Sequence, residues 1–216
     1  IDELEANPEL RVGLITGAGG TFCSGMDLKA FVSGETPVIE GRGFAGLCEY
    51  SPGKPLIAAV EGYALAGGFE IAISCDLIVA AENAKFGVPE VKRGLAAAAG
   101  GLVKLPKQVP PRIAMELALT GDFISAARAY ELGLINQVVS AGGALQAARE
   151  LAAKIAANGP LAVALSKQVV AKALDWNSTE MFAKQHTILQ PILTSEDAIE
   201  GAKAFAEKRA PQWKGR

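Results

Sequence analysis

Hydrophobic residues fall first into short continuous runs and later into helical spacing, and that change of pattern divides the chain. Leu4, followed by polar residues and then Asn7-Pro8, reads as the tail of a helix over residues 1–10 that stops at the proline. Arg11-Val12-Gly13-Leu14-Ile15-Thr16 reads as a buried strand running into the turn-rich Gly17-Ala18-Gly19-Gly20. Gly25 to Phe31 starts a helix, and the polar, glycine-rich stretch from Gly34 to Gly53 reads as a mobile loop suited to cover a binding site. Leu56-Ile57-Ala58-Ala59-Val60, opened by Lys54-Pro55, is a continuous apolar run of the kind found in strands covered on both faces. Gly62 to Gly68 then turns the chain into a helix over Phe69 to Ser74, and Asp76 to Ala81 is a further buried strand. Strand, turn, helix, strand is an α/β order.

Beyond Gly94 the spacing becomes helical: Gly101 to Leu105, Arg112 to Thr120, Ala126 to Leu132, Ala144 to Ala157, Pro160 to Leu174, and an amphipathic set from Thr179 to Lys208, interrupted by a short strand at Asn136 to Val139. The sheet core is therefore expected in residues 1–140 and a helical region in residues 141–216, packed on the core or on a neighbouring subunit.

Composition narrows the function classes. Half of the 216 residues are hydrophobic, enough for one sizeable core or a core with an appendage. A formal charge of −2 gives no electrostatic basis for binding nucleic acid. No apolar stretch has the length of a bilayer span and the N-terminus lacks the pattern of a signal peptide, so a soluble protein without a membrane partner is expected. Cys23, Cys48 and Cys75 are odd in number and lack metal-ligand spacing; they read as reduced thiols of a cytoplasmic protein. The single histidine, His186, lies in a polar helical stretch and cannot build a multi-histidine metal site, so no metal is expected.

The chemistry gathers in Val60-Glu61-Gly62-Tyr63-Ala64-Leu65-Ala66-Gly67-Gly68-Phe69-Glu70, where a buried strand feeds a helix that begins near Gly67. Free N–H groups and the positive end of the helix dipole collect at such a start. Glycine lets a ligand oxygen approach the backbone, so a developing oxyanion would be stabilised there. Glu70 lies in the same first turn between Phe69 and Ile71, where desolvation raises a carboxyl pKa and the dipole lowers it; the sequence leaves the winner open. Taken alone, Glu70 reads more readily as a carboxylate that merely complements the helix dipole, since acidic residues are enriched in first turns.

Three ordered blocks change that reading. Phe22-Cys23-Ser24-Gly25-Met26-Asp27-Leu28-Lys29, then Gly62 to Glu70, then Phe86-Gly87-Val88-Pro89-Glu90 with Gly94 and Gly100-Gly101, resemble in order and spacing the signature blocks of the enoyl-CoA hydratase/isomerase (crotonase) superfamily, over nearly the whole chain. The resemblance implies a crotonase-like ββα superhelix core with a helical C-terminal region. It implies two backbone donors, Met26 and Gly67, as an oxyanion hole, with Met26 narrowing the acyl pocket where many members have alanine. It implies two catalytic carboxyls, Glu70 as base toward water at Cβ and Glu90 as acid toward Cα. It places Lys29, with Asp27 and Leu28 of the same block, at the substrate, and Phe205 and Lys208 at the CoA of an adjacent subunit in a homotrimer or dimer of trimers. Coenzyme A enters as part of an acyl-CoA substrate, with no separate cofactor.

Two departures carry expectations. The family has about forty further residues before the point where this chain starts, so a sheet edge and part of the site would be exposed without them. Gly94 to Gly101 lacks the proline usual in its block, so the loop near Glu90 is expected to run differently. The end, Ser195 to Gly201 through Trp213 to Arg216, resembles crotonobetainyl-CoA hydratases of carnitine metabolism.

Other readings fare worse. Gly17-Ala18-Gly19-Gly20 fails the dinucleotide fingerprint because Phe22 stands where its third glycine belongs. Ser24 fails as a hydrolase nucleophile, since Phe22 breaks G-x-S-x-G and no base histidine is near. Within the superfamily an enoyl-CoA isomerase is the rival, because a 1,3-proton shift needs one carboxylate. From another class, a non-catalytic acyl-CoA-binding protein predicts binding without turnover. Two glutamates favour hydration.

Overall fold

The computed structural model describes residues 1–216. In chain order the elements are α1 (Asp2–Ala6), β1 (Gly13–Thr16), α2 (Leu28–Val32), β2 (Val38–Ile39), β3 (Gly43–Phe44), β4 (Leu56–Val60), β5 (Tyr63–Leu65), α3 (Gly67–Ala72), β6 (Leu77–Ala81), β7 (Lys85–Gly87), a 3-10 turn (Pro89–Arg93), α4 (Gly101–Gln108), α5 (Pro111–Thr120), β8 (Ile124–Ser125), α6 (Ala126–Glu131), β9 (Gln137–Val139), α7 (Ala144–Ala156), α8 (Pro160–Ala173), α9 (Met181–Leu193) and α10 (Glu196–Ala206). They divide into two compact units. One holds residues 14–51 and 56–150; the other holds 1–13, 52–55 and 151–216. The division thus runs inside α7, and the N-terminal segment groups with the C-terminal helices.

The first unit is built on two sheets. A four-stranded sheet has the order β1-β4-β6-β9, and β5, β7 and β8 form a three-stranded one. β4 pairs in parallel with β6, and β6 in parallel with β9. Every residue of β4 is buried, as its unbroken apolar run requires of a central strand. β1 differs from the expected buried strand: it lies at the sheet edge and its residues are only partly covered or exposed.

Each of the strands β4 and β6 continues, after a short corner, into a strand of the second sheet, β5 and β7, which pair in parallel with Leu65 opposite Gly87. Neither β5 nor β7 was evident from periodicity. Each has only three residues, and its conformation is fixed by a partner far along the chain rather than by its own pattern. Between the sheets and α3 to α6 lies the core, with Phe69 and Phe86 fully buried and their ring centroids 5.9 Å apart at a tilt of 57°. A buried ring of this size contributes about 1.5–3 kcal/mol.

Two further expectations are corrected. The stretch from Gly34 to Gly53 is not one open loop: Val38–Ile39 and Gly43–Phe44 pair antiparallel, and Leu47 and Cys48 are buried, because this segment turns back onto the core after the hairpin. The helix beginning at Gly101 does not stop before Pro106 but runs to Gln108, closed by a 3.0 Å bond from Val109 N to Leu105 O. A proline removes its own N–H from the ladder and crowds the carbonyl four residues back, and here the helix ends within a turn of it.

In the second unit α8 packs on α9, and α9 on α10. Ser195 caps α10 by accepting from Ala198 N at 3.0 Å, with Glu196 and Asp197 in the first turn suited to the dipole. The C-terminal residues are tied to this helix: buried Asp197 accepts from Lys214 N at 2.6 Å and Gly215 N at 3.0 Å. Glu200 takes a two-nitrogen bond from Arg209, which holds its carboxyl down at about 2. No helix is long and apolar enough to cross a membrane.

Candidate active site

The three glycine-rich blocks meet along the second sheet. Cys23 N donates to Tyr63 O at 2.9 Å and Leu65 N to Cys23 O at 3.0 Å, which joins the first block to β5. Ala66 N donates to Gly87 O at 3.0 Å, which joins the second block to the third. Residues from Cys23 to Gly87 are thereby fixed at one sheet end. No periodicity signals this; only the recurrence of the blocks does.

At that end two backbone amides are free. Gly67 is the first residue of α3, so its N–H has no acceptor within the helix, and neither it nor Met26 N–H donates a hydrogen bond within the chain. Gly25 brings them together. Its φ is +98°, and a Cβ there would lie 3.0 Å from Gly67 N and 2.9 Å from Ala66 Cβ, so only glycine fits. Gly67 is itself pressed against Phe44, whose ring would stand 2.6 Å from an added Cβ.

Ala66, just before the helix, has φ +51° and ψ −130°. Such a conformation costs a non-glycine residue on the order of 1–3 kcal/mol. It persists because both backbone groups of Ala66 are held: N–H by Gly87 O, and C=O by Glu70 N at 3.0 Å. The strain fixes the direction of the peptide that carries the Gly67 N–H.

Glu70 is the fourth residue of α3 and only 3% exposed. Its Oε1 accepts from Gly101 N at 2.8 Å, so the carboxyl sits at the N-terminus of α4 rather than serving its own helix. The competition left open by the sequence is decided by burial. Desolvation pushes the Glu70 carboxyl above the usual range, opposed by the amides of Gly101 and Ala99 and by the Lys104 ammonium. Gly101 is close enough that a Cβ would lie 3.0 Å from Glu70 Oε1.

Glu90 stands in the 3-10 turn that follows β7, which Gly94 closes in the left-handed conformation. Burial raises its carboxyl, and the negative charge of Glu70 raises it further. Oε2 is shielded from solvent and accepts no hydrogen bond, a position better suited to a protonated carboxyl than to a carboxylate.

All these groups open on one cavity of about 1070 Å³, lined by Met26, Gly67, Glu70 and Glu90 together with Asp27, Leu28 and Lys29. Such a volume suits an extended organic ligand. Asp27 spends Oδ1 as the cap of α2, accepting from Lys29 N at 2.8 Å and Ala30 N at 3.5 Å. Lys29 is exposed at the cavity wall. Phe205 and Lys208 belong to the other unit, both exposed, Phe205 at 87%. The chain nowhere gathers three or more His, Cys, Asp or Glu that could hold a metal ion.

A profile of the enoyl-CoA hydratase/isomerase family matches residues 1–216. The chain belongs to that family. It is 45% identical over 218 residues to the carnitinyl-CoA dehydratase of Proteus mirabilis, covering 97% of this chain and 84% of that protein. Among solved structures it resembles an enoyl-CoA hydratase from Mycobacterium marinum, with a TM-score of 0.97 and 60% identity over 100% of this chain and 85% of the other. It also resembles a carnitinyl-CoA hydratase from Mycobacterium avium, with a TM-score of 0.75 and 44% identity over 100% and 85%. The fold is accordingly the crotonase fold.

Within this family frame, the structure adds residues that sequence reasoning passed over. Ala66 and Gly25 orient the two amides, Gly101 holds Glu70, and Phe44 forms the wall behind Gly67. Gly25 and Gly101 lay inside the recognised blocks; Phe44 had no local signal, since its contact depends on the fold of the hairpin.

Proposed function

We propose that the chain is a hydro-lyase that reversibly adds water across the double bond of a 2-enoyl-CoA thioester, with CoA bound as part of the substrate. The observation that carries this is the convergence of two unpaired amides and two raised carboxyls on one cavity. Met26 N–H and Gly67 N–H receive the thioester oxygen, which gains negative charge as the enolate forms; one such donor is worth about 3 kcal/mol.

Glu70, with the Gly101 amide and Lys104 favouring its charge, takes a proton from water as the oxygen bonds to Cβ. Glu90, whose Oε2 has no acceptor role and whose ionisation Glu70 opposes, delivers a proton to Cα. The bond electrons pass through the thioester oxygen and back to Cα. Water is consumed and nothing is oxidised, so no redox cofactor enters the step.

The names of the relatives favour a carnitine-type acyl group, its unsaturated form being the hydration substrate. Lys29, Asp27 and Leu28 are read as substrate contacts, and Phe205 and Lys208 as contacts to the CoA of a neighbouring copy. Exposed apolar residues on the C-terminal helices, among them Leu193 at 82%, suit a homotrimer or a dimer of trimers. Three free thiols suit a reducing cytoplasm.

The test follows loss of the enoyl-thioester absorbance with crotonyl-CoA and crotonobetainyl-CoA, with product analysis. Hydroxyacyl-CoA formation supports the reading, and double-bond migration without hydration, or binding without turnover, contradicts it.

A further inference from the structure

One face of α4 runs along α3 and holds it at three points. Gly101 N reaches Glu70 Oε1 at 2.8 Å, Lys104 Nζ reaches Ser74 Oγ at 2.7 Å, and Gln108 Nε2 reaches Ile73 O at 2.9 Å. The spacing of 101, 104 and 108 puts the three on one side of the helix. The first of these contacts is explained by the carboxyl, and the third satisfies a carbonyl at the end of a short helix. The second is unexpected. It places a lysine ammonium in a partly buried setting, with Cys48 O as its other acceptor at 2.6 Å.

Ser74 makes the link to the site. Its Oγ accepts a hydrogen bond from Lys104 Nζ at 2.7 Å and donates one to Glu70 O at 2.6 Å. The ammonium is thus tied by one hydroxyl to the backbone of the residue that carries the carboxyl. A lysine used only for packing would extend its head to water. Lys104 instead turns its head inward to Cys48 O and Ser74 Oγ, a partly buried place where opposite charges attract more strongly than in open water.

We propose that Lys104 is a positioning residue of the active site, which through Ser74 fixes the end of α3 and through its charge favours the ionised form of Glu70. The inference rests on Glu70 being the base. The titratable groups facing Lys104 are Cys48 and Glu49 from the segment after the hairpin, Cys75 from the turn after α3, and Glu70 itself. Burial pushes the Cys48 thiol up, away from ionisation in the working range. Burial also lowers the Lys104 ammonium; with the Cys48 thiol neutral in the working range, the negative charges of Glu70 and Glu49 act in the opposite sense.

The sign of the effect follows from Coulomb's law. Removing the cation makes the Glu70 carboxylate harder to form, so its titration moves to higher pH. A base that stays protonated to higher pH shifts the acidic limb of the rate profile the same way.

The test is a ¹³C NMR titration of glutamate-δ-labelled protein, with the Glu70 signal assigned by its loss in Glu70→Gln. The measurement needs no turnover, so it stands even if the proposed reaction is wrong. We expect Lys104→Met and Lys104→Gln to titrate Glu70 half a pH unit or more above the parent, and Lys104→Arg to restore it. Glutamine retains hydrogen-bond donors without charge, and it serves where methionine fails to fold. If Glu70 titrates unchanged in Lys104→Gln, the inference is overturned. If turnover falls in that variant while the acidic limb stays in place, Lys104 is structural only and the inference is likewise overturned.

Discussion

The backbone N–H of Gly101 and the carboxyl of Glu70 are joined by a 2.8 Å hydrogen bond between the start of one helix and the side of another. The bond gives a buried acid an oriented donor that tolerates either charge state of its other oxygen. It also explains why no side chain stands at residue 101: a Cβ would lie 3.0 Å from Oε1 and 2.9 Å from Ala97 Cβ. Gly101→Ala is therefore expected to push Glu70 from its place. Because misplacing a catalytic group by about 1 Å can cost roughly 100-fold, kcat should fall by about 10- to 100-fold with KM changed far less. Steady-state kinetics on crotonyl-CoA read this directly.

Gly25→Ala tests the other half of the site. The added methyl group would approach Gly67 N to 3.0 Å at a φ of +98°, crowding the amide proposed to receive the thioester oxygen. Losing one donor of this kind costs about 3 kcal/mol, so kcat should drop by about 100-fold, while circular dichroism shows the fold retained.

The pH dependence of the rate follows from the two carboxyls. Burial raises both above the ordinary glutamate value of 4.5, and Glu70 raises Glu90 further. Hydration needs the base ionised and the acid protonated, so the profile of kcat should be bell-shaped. Its acidic limb should lie above the ordinary carboxylate range. Glu90→Gln should remove the alkaline limb and lower kcat by about 100-fold or more. As interacting groups, the pair titrates jointly, and the limbs belong to the pair.

The raised carboxyls also tie stability to pH. A carboxyl whose folded pKa is raised binds more protons in the native state between its unfolded and folded values, so stability falls as pH rises through that window. Below the unfolded value the penalty is absent; above the folded value it is complete. Glu90→Gln removes it, so thermal unfolding at pH 7.5 should occur higher than in the parent, at roughly 2–4 °C per kcal/mol gained. The gain should vanish near pH 4, which calorimetry at the two pH values checks.

The sequence and the structure agree where the signal is local. The run Leu56–Val60, opened by Lys54-Pro55, has the pattern of a strand covered on both faces, and Asn7-Pro8 marks the end of the first helix. The three-residue strands β5 and β7 escaped notice because their partners lie across the fold, and β1 looked buried because its residues are apolar although its place is at the edge. The site shows the same split. Glu70 and Gly67 stand out beside a helix start, and Glu90 and Met26 follow from the resemblance. The contact of Phe44 with Gly67 and the link from Lys104 through Ser74 are long-range, and no spacing in the chain announces them.

The proposed reaction requires the thioester oxygen to sit between two backbone amides. A crystal structure of the protein with a bound 3-hydroxyacyl-CoA measures it directly. The oxygen should lie within about 2.7–3.1 Å of both Met26 N and Gly67 N, with the 3-hydroxyl at Glu70 and the Cα hydrogens facing Glu90. A thioester oxygen bound away from these amides, or an acyl chain that places Cα and Cβ out of reach of the two carboxyls, would contradict it.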